Sequence, residues 1–172
     1  MASLFAKSIF CRSVVIQFIE SGKTSNRGLL YFINKLIELY NKQESLDTSI
    51  KKFVSVCNGY LNGKEYVYDE RQVTLKIKRI NRDEEVLLNQ LSSGEKQIVS
   101  LFSKIYLVKE SNYIVLFDEP ELSLSLFWQQ RLLPDIVNSG KCKFLVAVTH
   151  SPFIYDNELS SYAVGLSDYI KF

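Results

Sequence analysis

The chain has 172 residues, of which 47% are hydrophobic and 23% charged; it is long enough to bury one sizeable core, and this composition excludes a structureless peptide. A count of 21 basic against 19 acidic side chains leaves a net charge of +2, too small to attract the whole molecule to nucleic acid or a membrane. The three cysteines, Cys11, Cys57 and Cys142, are widely spaced and form neither a disulfide framework nor a CxxC metal site, which favours a reducing, cytoplasmic setting.

The amino-terminal segment is apolar and weakly basic. Its first 19 residues contain Lys7 and Arg12 and no acidic residue, a faint feature of a transit peptide. The apolar face of this segment favours a different interpretation, in which it packs against the rest of the protein. No run of about 18 apolar residues occurs in the sequence, so we expect no membrane-spanning helix and no membrane partner.

Two amphipathic helices are predicted next. Apolar residues recur at three-to-four spacing from Leu29 to Tyr40 and again from Leu46 to Cys57. The polar stretch from Gln43 to Ser45 separates the two sets, and Asn58-Gly59 is typical of a helix end. This pattern predicts an amino-terminal helical hairpin.

The apolar period then changes to two, which predicts a short antiparallel pair of strands. Tyr66 and Tyr68 lie on the first strand, and residues 73–78 alternate apolar and polar on the second. Residues 69–71 supply the turn, and residues 81–83 predict the next reversal. The basic side chains of residues 74–82 could contact DNA phosphates, although alternating charge is usually a solvated face. These side chains are Lys76, Lys78, Arg79 and Arg82.

The second half of the chain alternates predicted helices and strands. The apolar patterns predict helices over residues 94–109 and 126–137, and strands over 113–117 and 143–148 that are buried on both faces. This order is typical of a parallel α/β sheet. The composition changes near Leu87, so the predicted division is residues 1–86, with the hairpin and basic strands, and residues 87–172.

Polar residues at the ends of these predicted elements form three candidate sites. Asp118 and Glu119 come directly after a buried strand, where α/β sheets place ligands, and this position predicts a bound cation; the alternative is two solvated acids. Ser92, Ser93 and Gly94 precede a helix and could bind phosphate, or Ser92 could be a simple helix cap with Glu95 in the first turn. His150, the sole histidine, ends the next predicted strand.

The motifs LSSGEKQ, IVLFDEPELSLS and VAVTHSP, in this order, resemble the carboxyl-terminal half of an ATP-binding-cassette (ABC) type ATPase head. The resemblance is closest to the SMC/RecF-like group of AAA ATPases that includes the OLD (overcoming-lysogenisation-defect) and Septu-type defence ATPases. It implies an α/β partial head in which a mostly parallel sheet is flanked by helices. Residues 1–86 would then be a helical insert lobe, and residues 87–172 half of the ATPase core.

The resemblance also assigns site residues. It implies that Asp118 holds Mg²⁺ as the Walker B acid, that Glu119 is the catalytic glutamate and that His150 is the switch histidine. Glu121 to Ser125 resemble the D-loop region, although relatives often have histidine where Ser125 stands. The signature motif, which contacts ATP, would consist of Leu91, Ser92, Ser93, Gly94 and Glu95.

In this family two heads enclose two ATP molecules, so the resemblance implies a second ATPase head as partner, with a homodimer expected. A nuclease effector and DNA are further candidate partners. The phosphate-binding Walker A motif has no full match, because only Ser21 to Ser25 (SGKTS) approach it and no glycine stands at Gln17. We therefore expect a head fragment from a defence or DNA-repair ATPase that is inactive alone. The alternative is a non-catalytic binding module that docks on a complete head or another partner.

Overall fold

The computed structural model describes residues 27–82, 84–109 and 112–169. The chain divides into two compact units, Met1–Leu46 and Asp47–Phe172. Two segments interpreted from the sequence, residues 1–19 and residues 21–25, lie outside the described residues. Within the described part of the chain, no helix is long and apolar enough to cross a membrane. The predicted division between residues 86 and 87 stays a prediction.

One continuous helix, α1 (Arg27–Asn58), replaces the predicted helical hairpin, so the prediction of a break at residues 43–45 is wrong. Gln43 and Glu44 are good helix formers, and neither glycine nor proline interrupts the segment. The loss of apolar residues there marks an exposed stretch of helix rather than its end. The predicted end at Asn58 is confirmed.

The predicted antiparallel strands form, together with a third short strand. β1 (Lys64–Asp69) pairs with β2 (Thr74–Arg79), which pairs with β3 (Glu85–Val86). The Asp69 carboxylate accepts hydrogen bonds from two backbone N–H groups of the turn, at 2.8 and 3.1 Å, which explains the reversal predicted there. Asn81, the first residue of the second predicted reversal, has a φ of 66°. Apolar residues of this sheet join the core, where the Tyr66 ring contacts Phe53 of α1; they are Tyr66, Ile77 and Val86.

The second half folds as α2 (Ser93–Leu107), β4 (Tyr113–Asp118), α3 (Leu126–Val137) and β5 (Cys142–Val148). β4 and β5 are parallel, as predicted, and the whole is an α/β fold. The helices bury their apolar faces in one core with residues of α1 and the first sheet; their buried side chains include Phe102, Ile105, Leu132 and Ile136. The carboxyl ends of β4 and β5 therefore lie side by side.

The prediction that β4 and β5 are buried on both faces is wrong for the described residues. Burial alternates along β4, and Ile114 and Leu116 are 68% and 70% exposed. On β5, Phe144, Val146 and Val148 are likewise exposed. Parallel strands with continuous apolar sequence normally have both faces covered, so this sheet presents an apolar face that nothing in the described residues covers.

Candidate functional site

The predicted carboxylates lie at the carboxyl end of β4. Asp118 is the last residue of the strand, is exposed, and lies opposite Val148 of β5 in the parallel register. The Glu119 N–H donates a 2.8 Å hydrogen bond to the Val148 carbonyl, so Glu119 stays tied to the sheet although its φ is 47°. This is the left-handed region of backbone conformation, which costs a residue other than glycine roughly 1–3 kcal/mol.

His150 lies beside Glu119. Its Nε2 atom is 3.9 Å from Glu119 Oε1, a distance that permits an ion pair when the imidazole is protonated. Both side chains are open to solvent, with exposed fractions of 86% for His150 and 45% for Glu119. The structure thus brings together Glu119, directly after β4, and His150, two positions after the end of β5, as the parallel order of the strands predicts.

Glu121 is a site residue whose contact the sequence did not reveal. Its Oε1 atom accepts hydrogen bonds from the backbone N–H groups of His150, at 2.9 Å, and Ser151, at 3.2 Å. Its Oε2 atom is buried and has no hydrogen-bond partner among the described residues. Burial alone would raise the pKa of this carboxyl, but the nearby Thr149 hydroxyl and the backbone N–H donors outweigh burial and lower it. One indication of this residue was available in the sequence, a third carboxylate within residues 118–121.

A buried amide links the same turn to helix α3. The Ser151 hydroxyl donates a 2.6 Å hydrogen bond to Gln129 Oε1, and Gln129 Nε2 donates to the Leu124 carbonyl at 3.0 Å. Gln129 is only 7% exposed, so both polar ends of its amide are satisfied inside the protein. The loop after β4 and the turn after β5 are therefore joined through α3 as well as directly.

Ser125, the departure from the D-loop pattern, caps α3. Its hydroxyl accepts a 3.4 Å hydrogen bond from the Trp128 N–H. This local role explains a serine at the start of the helix, since serine is a preferred cap residue.

The predicted signature residues form the start of α2. Ser92 is the cap: its hydroxyl accepts from the Glu95 N–H, while Glu95 Oε2 accepts from the Ser92 N–H at 2.8 Å. Glu95 is buried and also binds Lys64 Nζ through both carboxylate oxygens at 2.8 Å. Burial would raise the pKa of Glu95, but its bonds to Lys64 and Ser92 lower it overall. Leu91 is buried as well, so within this motif the side chains left exposed are Ser92 and Ser93.

Gly94 lies where the backbone of α2 closely approaches the backbone of the loop after β4, which leaves no room for a side chain. A Cβ atom at this position would lie 2.3 Å from the Ser123 carbonyl oxygen and 3.2 Å from Trp128 Cζ3. Gln97 Nε2 reaches the Pro120 carbonyl at 3.5 Å. The first turn of α2 therefore packs directly on the loop that follows Asp118 and Glu119.

Two of the four basic side chains predicted to contact DNA pair with neighbouring acids. Lys76 Nζ lies 2.8 Å from Glu85, and Arg79 Nε lies 3.2 Å from Glu84. Lys78 also has an interaction partner. These pairs are solvent-exposed and contribute little stability, but they reduce the positive charge available for a nucleic acid.

The site offers a cation two carboxylates rather than a complete cage. The described residues contain no group of three or more His, Cys, Asp or Glu side chains placed to hold a metal. Mg²⁺ commonly binds through one or two carboxylates and completes its shell with water and substrate phosphates. Asp118 and Glu119 fit this mode of binding.

A family model described as "AAA domain, putative AbiEii toxin, Type IV TA system" matches residues 22–156. No curated protein matches the sequence significantly. Among solved structures, the chain is similar to the crystal structure of the SmcHead bound to the C-winged helix domain of ScpA, with 15% sequence identity and a TM-score of 0.47. That likeness covers 63% of this chain and 36% of the other, so the chain spans little more than a third of the protein it resembles.

Proposed function

The chain belongs to this AAA-domain family, and from that premise we propose that it is the part of an ATPase head that carries Walker B, the switch histidine and the signature motif. The observation that carries the proposal is the approach of His150 Nε2 to within 3.9 Å of Glu119, beside Asp118 at the end of a parallel strand. A carboxylate pair and an imidazole at this edge suit phosphoryl transfer to water.

Each residue has a distinct task in this proposal. Asp118, which is exposed, would hold Mg²⁺ through water, and the ion would neutralise charge on the phosphates. Glu119, tied to β5 through its N–H, would orient and deprotonate the attacking water. His150, which is exposed, would donate a hydrogen bond to the terminal phosphate.

The phosphate cradle is the part of the site that this sequence does not complete. Ser21 to Ser25 include Gly-Lys-Thr, and the family match begins at Gly22, but no glycine stands five residues before Gly22. Wrapping a phosphate in successive backbone N–H groups needs that glycine-rich turn. We therefore propose that the chain alone has negligible turnover, because it carries the residues for the metal and the attacking water without a complete phosphate cradle. In the working ATPase the site would lie between two complete heads, with a homodimer expected.

Partner and pathway assignments are part of the same proposal. A role in defence or DNA repair, with a nuclease effector, rests on the resemblance of the three motifs to the SMC/RecF-like ATPases. DNA contact through the basic strand is less well supported, because Lys76 and Arg79 already pair with acidic side chains.

The first experiment measures phosphate release by the chain with Mg²⁺ and ATP. We expect turnover far below about 1 s⁻¹, the low end for ordinary enzymes. Turnover near that value, abolished by Glu119→Gln, would contradict the proposed fragment and would assign the phosphate contact to Lys23.

A second experiment tests whether the site recognises nucleotide. Because His150 is the sole histidine, its imidazole Hε1–Cε1 group gives one cross-peak in an NMR spectrum, which serves as the His150 signal. We expect millimolar Mg²⁺-ATP to shift this signal in the parent and in the control Asp156→Asn, whose carboxylate accepts only from Gln130 among the hydrogen bonds of the described residues. Asp118→Asn should remove most of the shift. An equal response in all three proteins would contradict the role of Asp118.

A second candidate function is a non-catalytic module that docks on a complete head or another partner. The exposed apolar face of β4 and β5 favours it, since Leu116 and Phe144 would normally be covered. The two functions differ in their nucleotide response: a docking module would show no shift of the His150 signal with Mg²⁺-ATP.

A further inference from the structure

We propose that Glu121 is a positioning residue that fixes the turn carrying His150 to the loop after β4. Its catalytic relevance rests on the proposed function, because the position of His150 matters for turnover only if the site acts on ATP. The contact itself does not depend on nucleotide, so it can be tested separately.

The direct contact is a single carboxylate oxygen that accepts two consecutive backbone N–H groups. Glu121 Oε1 lies 2.9 Å from the His150 nitrogen and 3.2 Å from the Ser151 nitrogen. Hydrogen bonds to a charged acceptor are stronger than neutral ones. Two donors from adjacent residues on one oxygen also fix the orientation of the turn, which one bond alone would leave free to rotate.

Glu121 is itself held in place. It follows Pro120, which is buried, and the Glu121 carbonyl accepts a 3.0 Å hydrogen bond from the Leu124 N–H. The same turn has a second attachment, because the Ser151 hydroxyl binds Gln129, which binds the Leu124 carbonyl. The loop after β4 thus anchors the turn after β5 at two points.

The side chain of His150 cannot set its own position by packing. It is 86% exposed, and its Nε2 atom lies 3.9 Å from Glu119 Oε1, beyond hydrogen-bond distance. The backbone of residues 149–151 therefore sets where the side chain begins and which positions the ring can reach. Glu121 holds that backbone and, through it, keeps the imidazole beside Glu119.

The test compares three variants in the absence of nucleotide. Glu121→Met keeps the length of the side chain but accepts no such hydrogen bond, and Glu121→Gln keeps an accepting oxygen. Glu158→Gln is the matched control, since Glu158 is exposed and, among the described residues, accepts a single 3.4 Å hydrogen bond, from Asn138. Circular dichroism and thermal unfolding establish that each variant is folded.

The first readout is amide hydrogen exchange at His150 and Ser151. We expect the His150 amide to exchange at least about tenfold faster in Glu121→Met than in the parent, and Glu121→Gln and Glu158→Gln to stay within about threefold. The Ser151 amide should respond less, because it also donates to Thr149 Oγ1 at 3.0 Å. Exchange in Glu121→Met that matches the parent would overturn the proposal, whatever the response to ATP.

The second readout detects the position of the ring, which a purely structural role would not alter. At fixed pH, Glu119→Gln should shift the His150 imidazole signal, because it removes the adjacent carboxylate. In a Glu121→Met background the same substitution should give less than about half that shift, since the ring is no longer held beside residue 119. Equal shifts in both backgrounds would show that Glu121 does not position His150. Should Glu121→Met fail to fold, Glu121→Asp, one methylene shorter, replaces it in both measurements.

Discussion

Substitution of Gly94 by alanine tests whether this glycine is required by packing. In a helix, Gly→Ala is ordinarily stabilising by up to about 1 kcal/mol. Here the added methyl group would lie 2.3 Å from the Ser123 carbonyl oxygen, so α2 and the loop after β4 must separate by about 1 Å to restore an ordinary contact. Overpacking of this kind costs about 1–3 kcal/mol.

The balance of these two effects is a net destabilisation of about 1–2 kcal/mol. For a chain of this size that corresponds to a melting temperature lower by about 2–8 °C. Thermal unfolding followed by circular dichroism measures the change, and urea unfolding gives the free energy independently. Ser93→Ala, at the neighbouring exposed position, is the control and should stay within about 0.5 kcal/mol of the parent.

A Gly94→Ala variant as stable as the parent, or more stable, would refute this reasoning. It would mean that the loop at Ser123 moves away at no cost in free energy of unfolding, so that packing would not be the reason for a glycine at position 94. If the expected destabilisation is found, a loss of activity in a Gly94 variant could be caused by altered packing alone. Ser93, which is exposed, is therefore the better position for testing a contact between the predicted signature motif and ATP held by a partner head.

Three further predictions concern charge and burial. Glu95→Gln breaks the buried pair with Lys64 and should cost about 3 kcal/mol at neutral pH. Because the pKa of Glu95 is lowered in the folded state, this contribution is present above the ordinary pKa of glutamate and is lost as the pH falls through the lowered one, so the difference in urea stability should shrink in acid, and a difference that does not change with pH would contradict this. Burial raises the pKa of Cys57 to about 12. In a variant that retains only this cysteine, the thiol should therefore react with a disulfide reagent only after the protein unfolds. Prompt labelling of the native protein would contradict the burial of Cys57. Lys76→Gln should change DNA affinity, measured by fluorescence anisotropy, by less than about threefold, because Lys76 already pairs with Glu85; a loss of about tenfold or more would instead assign a phosphate contact to Lys76.

Much of the fold could be predicted from local sequence patterns. The apolar run of β4, the helix from Leu126 to Val137 and the end of α1 at Asn58 occur as predicted. The hairpin did not form, because a polar stretch without glycine or proline can remain helical when it is exposed. Periodicity reports which residues are apolar, and it does not distinguish a helix end from a solvated turn of helix.

In the candidate site, too, some features could be predicted from the sequence and others depend on the tertiary structure. The sequence by itself determined that Asp118, Glu119 and His150 lie at the carboxyl ends of two strands of one parallel sheet, because strand order and direction follow from the alternation of helices and strands. It also supplied Ser92 and Glu95, whose capping arrangement is local and needs only the spacing of three residues.

Only the tertiary structure decided the contacts between segments distant in sequence. The attachment of Glu121 to the turn at His150, the ion pair of Glu95 with Lys64 and the approach of Gly94 to Ser123 each join elements whose relative placement no local pattern encodes. Likewise, the apolar sequence of β4 predicted burial of both faces, whereas Ile114 and Leu116 are exposed. The physical reason is that apolar character fixes what a residue gains from being covered, while the packing of the other elements decides whether anything covers it.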